Sequence, residues 1–178
     1  NVSAWAIARR ANWAADVMPK SEAAMPAHRE KRRATLNIIQ SRLAEKQVLV
    51  ADGAWGTELA KRGLPVGEAP ERWGLDHPDA VRAVARQYVE AGADIILTNT
   101  FGGSTLKLAK VGLSVDTHAV NATMARLSSE IAHPAGVLVA GSVGPTGEFM
   151  QPLGLISEEE MVAAFAEQIR GLADGGVD

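Results

Sequence analysis

One pattern repeats along this chain and limits its fold more than any other feature. A short apolar run passes into glycine and small polar residues, and an amphipathic helix follows. Val48-Leu49-Val50-Ala51 runs into Asp52-Gly53, Ile95-Ile96-Leu97 into Thr98-Asn99-Thr100-Phe101-Gly102-Gly103, and Val137-Leu138-Val139-Ala140 into Gly141-Ser142-Val143-Gly144-Pro145-Thr146-Gly147. Continuous apolar runs of this length read as parallel strands buried on both faces. Three strand-loop-helix units in succession imply an α/β fold with a parallel sheet and right-handed crossovers.

The helices between these runs follow from spacing. Leu36, Ile39 and Leu43 share one helical face. Asp76 is placed to cap a helix whose apolar face is Val81, Val84, Ala85, Tyr88 and Val89, and Gly92 is placed to end it. A helix starting near Asp116 carries Val120, Met124, Leu127 and Ile131 on one side. Ser157 and Glu160 form a capping-box pattern ahead of Met161, Phe165, Ile169 and Leu172. The stretch with Gly63, Pro65, Gly67 and Pro70 reads as turns.

Two architectures fit: an open doubly wound sheet or an eight-stranded barrel. A barrel typically takes about 250 residues, and this chain has 178. The lead-in Ala91-Gly92-Ala93-Asp94 before the second run returns at the end as Gly175-Gly176-Val177-Asp178, with no strand after it. The repeat therefore predicts a cut at the entrance to a fourth strand. Residues 1–33 stand apart, with seven Lys and Arg against three Asp and Glu, and with Pro19 and Pro26 interrupting any helix. They are expected to form a poorly ordered basic extension, and 34–178 the α/β domain.

Net charge is −3, so no global charge points to nucleic acid or to an acidic membrane surface. No apolar run approaches the roughly 18 residues of a membrane span, and a cytoplasmic setting is the expectation. There is no cysteine, which excludes a disulfide framework and a Cys-based zinc site within the chain. His28, His77, His118 and His133 have no metal-ligand spacing.

Ligands of parallel α/β folds gather at the carboxyl ends of the strands. Asp52 follows directly on an apolar run, where a carboxylate is costly unless it meets a cation or several donors. Gly53 and Gly56 let backbone N–H groups approach a ligand. One carboxylate beside exposed amides suits a zwitterion; Asp52 capping its own turn is the equal alternative. Asn99 can donate and accept on one side chain. Trp55 and Phe101 either cover a pocket or pack. The 141–147 loop resembles an anion loop without the lysine of a phosphate-binding motif.

Four segments together resemble the homocysteine S-methyltransferases. They are Asp52-Gly53-Ala54-Trp55-Gly56-Thr57-Glu58-Leu59; Pro70-Glu71-Arg72-Trp73 with His77-Pro78; Ala91 to Phe101; and Gly141 to Gly147. The resemblance covers about 36–178. It implies a (β/α)8 TIM barrel, with only about the first three βα units present here, that binds homocysteine through zinc and methylates its thiol to give methionine. By that analogy Asp52 holds the amino group of homocysteine and the amides around Gly53, Ala54 and Trp55 hold its carboxylate. Asn99, Thr100, Phe101, Ser142, Gly144 and Pro145 line the substrate pocket. The family's zinc ligands are three cysteines from later strands and its second amino-binding acid follows the fourth strand, so the chain alone is expected to be inactive. Cobalamin or folate on other domains, a cobalamin-binding partner domain and homo-oligomerisation are all compatible with the resemblance; the methyl donor is open. The alternatives are an enzyme binding a phosphate-bearing ligand at 141–147, or a non-catalytic binding module.

Overall fold

The computed structural model describes residues 38–178. The expected basic extension 1–33 and Leu36 lie outside the described residues. Residues 38–45 are helical, with Ile38 and Leu43 exposed. Residues 46–178 make a second compact unit.

In that unit the elements run α1 (Trp55–Ala60), α2 (Pro70–Asp76), α3 (Pro78–Glu90), β1 (Ile95–Leu97), α4 (Thr105–Ala109), α5 (Thr117–Ala132), β2 (Leu138–Ala140) and α6 (Glu158–Asp174). Strands β1 and β2 are parallel, with Ile96 opposite Val139. The 48–51 run lies on the other side of β1, but only Ala51 forms a bridge, to Ile95. It is not the fully buried strand that its apolar run implies. Val48 and Val50 are exposed, because this segment is an edge with β1 as its single sheet neighbour among the described residues. The structure is thus mixed α/β around a small parallel sheet.

The repeat in the sequence is also a repeat in hydrogen bonding. Asp94 N donates to Val50 O at 2.8 Å, and Asp94 Oδ2 accepts from Val50 N at 3.0 Å. Asp178 N donates to Val139 O at 2.9 Å, and Asp178 Oδ2 accepts from Val139 N at 3.0 Å. Each Asp clasps the middle of the preceding strand with its backbone and its carboxylate. Each also meets a base that precedes that strand: Lys46 pairs with Asp94, and His133 Nε2 lies 3.0 Å from Asp178 Oδ2.

The core forms where helical faces meet the sheet. Val81, Val84 and Ala85 of α3 and Met124 and Leu127 of α5 are buried with Ile96 and Val139, as their spacing predicts. Gly92 (φ +90°) ends α3 in a conformation that disfavours a Cβ. Helix α6 has its capping box, but its buried face is Ala164, Gln168, Gly171 and Leu172; Met161, Phe165 and Ile169 are half-buried. The rotation has a steric cause. A Cβ on Gly171 would sit 2.5 Å from His118 O, so α5 and α6 approach at backbone distance at this point.

Three helices were hidden in the sequence: α1, α2 and α4. Pro70 at the first turn of α2 converts the end of the presumed turn region into helix. Asp76 closes α2 rather than capping α3, whose N-cap is His77, followed by Pro78. The His77 ring stacks on Trp73 at 4.1 Å. Helix α4 starts at Ser104, whose side chain accepts from Lys107 N.

Candidate functional site

The three loops that follow the parallel segments converge on one cleft of about 540 Å³. Gly53 and Trp55 line it from the first loop, Asn99, Thr100 and Phe101 from the second, and Ser142 from the third. Asp52, Ala54, Gly144 and Pro145 are not among its lining residues.

Asp52 braces two loops. Its Oδ2 accepts from Leu97 N at 2.8 Å and from Trp55 Nε1 at 2.7 Å, while Oδ1 is buried without a partner among the described residues. Burial raises its carboxyl above the ordinary 3.8, and the hydrogen bonds from Leu97 and Trp55 pull the other way. The N–H groups of Gly53 and Ala54 donate to no acceptor among the described residues, and both residues are exposed. Half of a carboxylate therefore sits unspent beside two unspent amides. Gly53 leaves room for a neighbour: a Cβ there would lie 3.1 Å from the Tyr88 hydroxyl, which donates to Ala54 O at 3.2 Å.

The second loop is held rigidly. Thr100 Oγ1 donates to Ser142 O at 2.8 Å. Its proton is thereby used, so in the 2.5 Å contact between the Thr98 and Thr100 hydroxyls Thr98 is the donor. Thr98 Oγ1 in turn accepts from Ser142 N at 3.0 Å. Gln168 Nε2, fully buried on α6, donates to Thr100 O at 2.7 Å. Asn99 Nδ2 donates to Pro70 O at 2.9 Å and joins the β1 end to the start of α2. Gly144 N donates to Phe101 O at 3.1 Å. A Cβ on Gly144 would stand 2.5 Å from that oxygen, so glycine is required for the loops to touch.

Sequence reasoning passes over Glu71 as a site residue. It lies in the first turn of α2, is 3% exposed and lines the cleft. Its Oε1 accepts from Gly102 N at 2.5 Å, and a Cβ on Gly102 would be 2.9 Å from its carboxylate. Burial pushes its carboxyl above the ordinary 4.5; backbone hydrogen bonds and the charge of Lys107 oppose this. The signal available in the sequence was the pair Gly102-Gly103, which marks a close approach at a strand end. Thr98 was likewise overlooked, because a threonine at a strand end also reads as ordinary strand.

Among the described residues there is no group of three or more His, Cys, Asp or Glu able to hold a metal ion, and no helix long and apolar enough to cross a membrane. His118 Nε2 meets Asp174 Oδ2 at 2.9 Å on the surface, outside the cleft.

Known proteins align with this geometry. A family model described as homocysteine S-methyltransferase matches residues 49–178. Betaine--homocysteine S-methyltransferase 1 of Danio rerio is 32% identical over 143 residues, covering 79% of this chain and 35% of that protein. The Bos taurus protein of the same name is 30% identical over 145 residues, covering 79% and 35%. The crystal structure of the homocysteine methyltransferase MmuM from Escherichia coli, metallated form, superposes with a TM-score of 0.64 at 28% identity, covering 77% of this chain and 54% of that one. The chain thus spans about a third of the length of the curated relatives it matches.

Proposed function

This chain belongs to the homocysteine S-methyltransferase family, and on that premise we propose that its cleft holds the amino-acid end of homocysteine for methyl transfer to the thiol, giving methionine. The observation that carries the reading is the unspent oxygen of Asp52 beside the unspent amides of Gly53 and Ala54. A carboxylate and two N–H donors match the ammonium and carboxylate of an amino acid. Asp52 takes the ammonium on Oδ1 while Oδ2 keeps its grip on Leu97 and Trp55. Asn99, Thr100, Phe101 and Ser142 form the wall along which the side chain of homocysteine lies, with Gly144 behind Phe101, within a (β/α)8 barrel of which these units are the first.

Zinc, when bound, makes a thiol a thiolate near neutral pH. The described residues do not fit it: no metal-holding group exists among them, and the chain has no cysteine. What this chain's own residues do is bind and orient. The rigid Thr98-Thr100-Ser142 chain fixes the two loops against each other, so the amino-acid end is held in one geometry.

The test is calorimetric titration of homocysteine into the full-length protein with zinc, comparing wild type with Asp52→Asn. The reading expects weaker binding by tenfold or more, about the worth of one charge-assisted hydrogen bond. Equal affinity refutes it.

A further inference from the structure

The turn from Thr100 to Gly103 is closed by Gly103 N, which donates to Thr100 O at 2.9 Å. Phe101, inside the turn, is exposed and lines the cleft. Behind the turn lie two fully buried amide side chains, Asn121 on α5 and Gln168 on α6, neither of which lines the cleft. Gln168 Nε2 donates to Thr100 O at 2.7 Å, and Asn121 Nδ2 donates to Gly103 O at 2.8 Å. The two ends of one turn are thus held by two different helices. The amides meet at Gly103, where a Cβ would overlap Asn121 Oδ1 and stand 2.9 Å from Gln168 Nε2. Gln168 Nε2 also reaches Ser142 O at 3.5 Å, the carbonyl that accepts from Thr100 Oγ1, so this amide stands between the second and third loops.

Packing alone does not account for this pair. Asn121 Oδ1 and Gln168 Oε1 are buried without a partner among the described residues, a cost that an apolar side chain of similar size would avoid. Thr100 O already serves Gly103 N, so the bond from Gln168 satisfies no orphaned carbonyl. What the two amides add is a fixed placement of the turn on α5 and α6. We propose that Asn121 and Gln168 are positioning residues that hold the turn from behind and so fix Phe101 against the side chain of bound homocysteine. This rests on reading the cleft as a homocysteine site. Without the clamp the turn keeps its internal bond but is free to shift as a unit, and homocysteine must order it on binding. The loss falls on affinity through Phe101, apart from the grip at Asp52.

The experiment is a double-mutant cycle, read by calorimetric titration of homocysteine into the full-length protein with zinc. Gln168→Met keeps the length of the side chain and removes its donor; it is expected to weaken homocysteine by about tenfold, the scale of one hydrogen bond. Phe101→Ala weakens it as well, and adding Gln168→Met to Phe101→Ala brings no further loss, because the clamp acts through that ring. Ser157→Ala, which loosens the start of the same helix away from the cleft, leaves the affinity unchanged. Unchanged affinity in Gln168→Met overturns the proposal, as do losses that simply add in the double variant or an equal loss in Ser157→Ala. Wild-type protein is the safeguard if Gln168→Met fails to fold. Saturating homocysteine should shift the NMR signals of the Gln168 side-chain amide and leave those of Gln87, on the surface of α3, in place; a Gln168 amide that does not respond overturns the proposal too. Wild-type protein that does not bind homocysteine refutes the reading beneath it, whereas binding that is weakened by Asp52→Asn but not by Gln168→Met refutes this proposal alone.

Discussion

Asp52 is given two tasks, and two substitutions separate them. One oxygen braces Leu97 N and Trp55 Nε1, and the other is reserved for the ligand. Asp52→Ala removes both tasks and leaves two donors unpaired. Each orphaned donor costs about 1–3 kcal/mol when fully buried. Asp52 is only partly buried, so water recovers part of this, and the expected loss of stability is about 1–3 kcal/mol in total. Asp52→Asn keeps an acceptor for both donors and is expected to unfold within about 1 kcal/mol of wild type. The pH dependence has a definite sign. Burial raises the folded-state pKa above 3.8, so the fold binds the proton more tightly than the unfolded chain does. The contribution of Asp52 is therefore fully present below the unfolded value and is lost as pH rises through the raised folded value. Asparagine does not titrate, so Asp52→Asn should gain on wild type across that window. Urea unfolding at a series of pH values measures both effects. If Asp52→Asn is as unstable as Asp52→Ala, or if its stability relative to wild type falls as pH rises through the window, the division of labour is wrong.

Gly171→Val should cost about 3 kcal/mol, because its Cβ would lie 2.5 Å from His118 O and force α5 and α6 apart; the urea midpoint reports it. Ser157→Ala removes one half of the α6 capping box and should cost about 1 kcal/mol by the same assay. Asp94→Ala leaves Val50 N without its carboxylate and should cost about 2 kcal/mol, with faster hydrogen exchange at Val50 as the local signature. Inorganic phosphate should leave the melting temperature unchanged; a clear rise would revive an anion site at the 141–147 loop.

Much of the architecture was legible because it rests on periodicity. The buried faces of α3 and α5 follow directly from the spacing of Val81, Val84 and Ala85 and of Val120, Met124 and Leu127. Three features escaped, each for a physical reason. The first apolar run is exposed because composition shows that a strand can be buried, not what lies beside it. The face of α6 is set by Gly171 rather than by its largest apolar residues, since close approach of backbones outweighs side-chain size. Glu71 escaped because an acid in the first turn of a helix also reads as a favourable partner for the helix dipole. Only the fold shows that its carboxylate turns inward to Gly102.

The choice between an amino-acid site and a phosphate site comes down to the charge that each loop sets beside its free amides. Sequence treats the two glycine-rich loops alike, as strand ends with N–H groups to offer. In the fold the third loop has spent some of its donors and kept others: the N–H groups of Val143, Thr146 and Gly147 meet no acceptor among the described residues. Ser142 N is taken by Thr98 Oγ1 and Gly144 N by Phe101 O. The cation beside Gly147, Lys110, is already paired with Glu148, so a phosphate there would meet a neutralised ammonium. In the first loop Asp52 does the bracing with one oxygen, and Gly53 and Ala54 keep their N–H groups. The first loop sets a spare carboxylate oxygen beside its free amides and the third a cation already paired; that charge, rather than the glycine content, tells them apart.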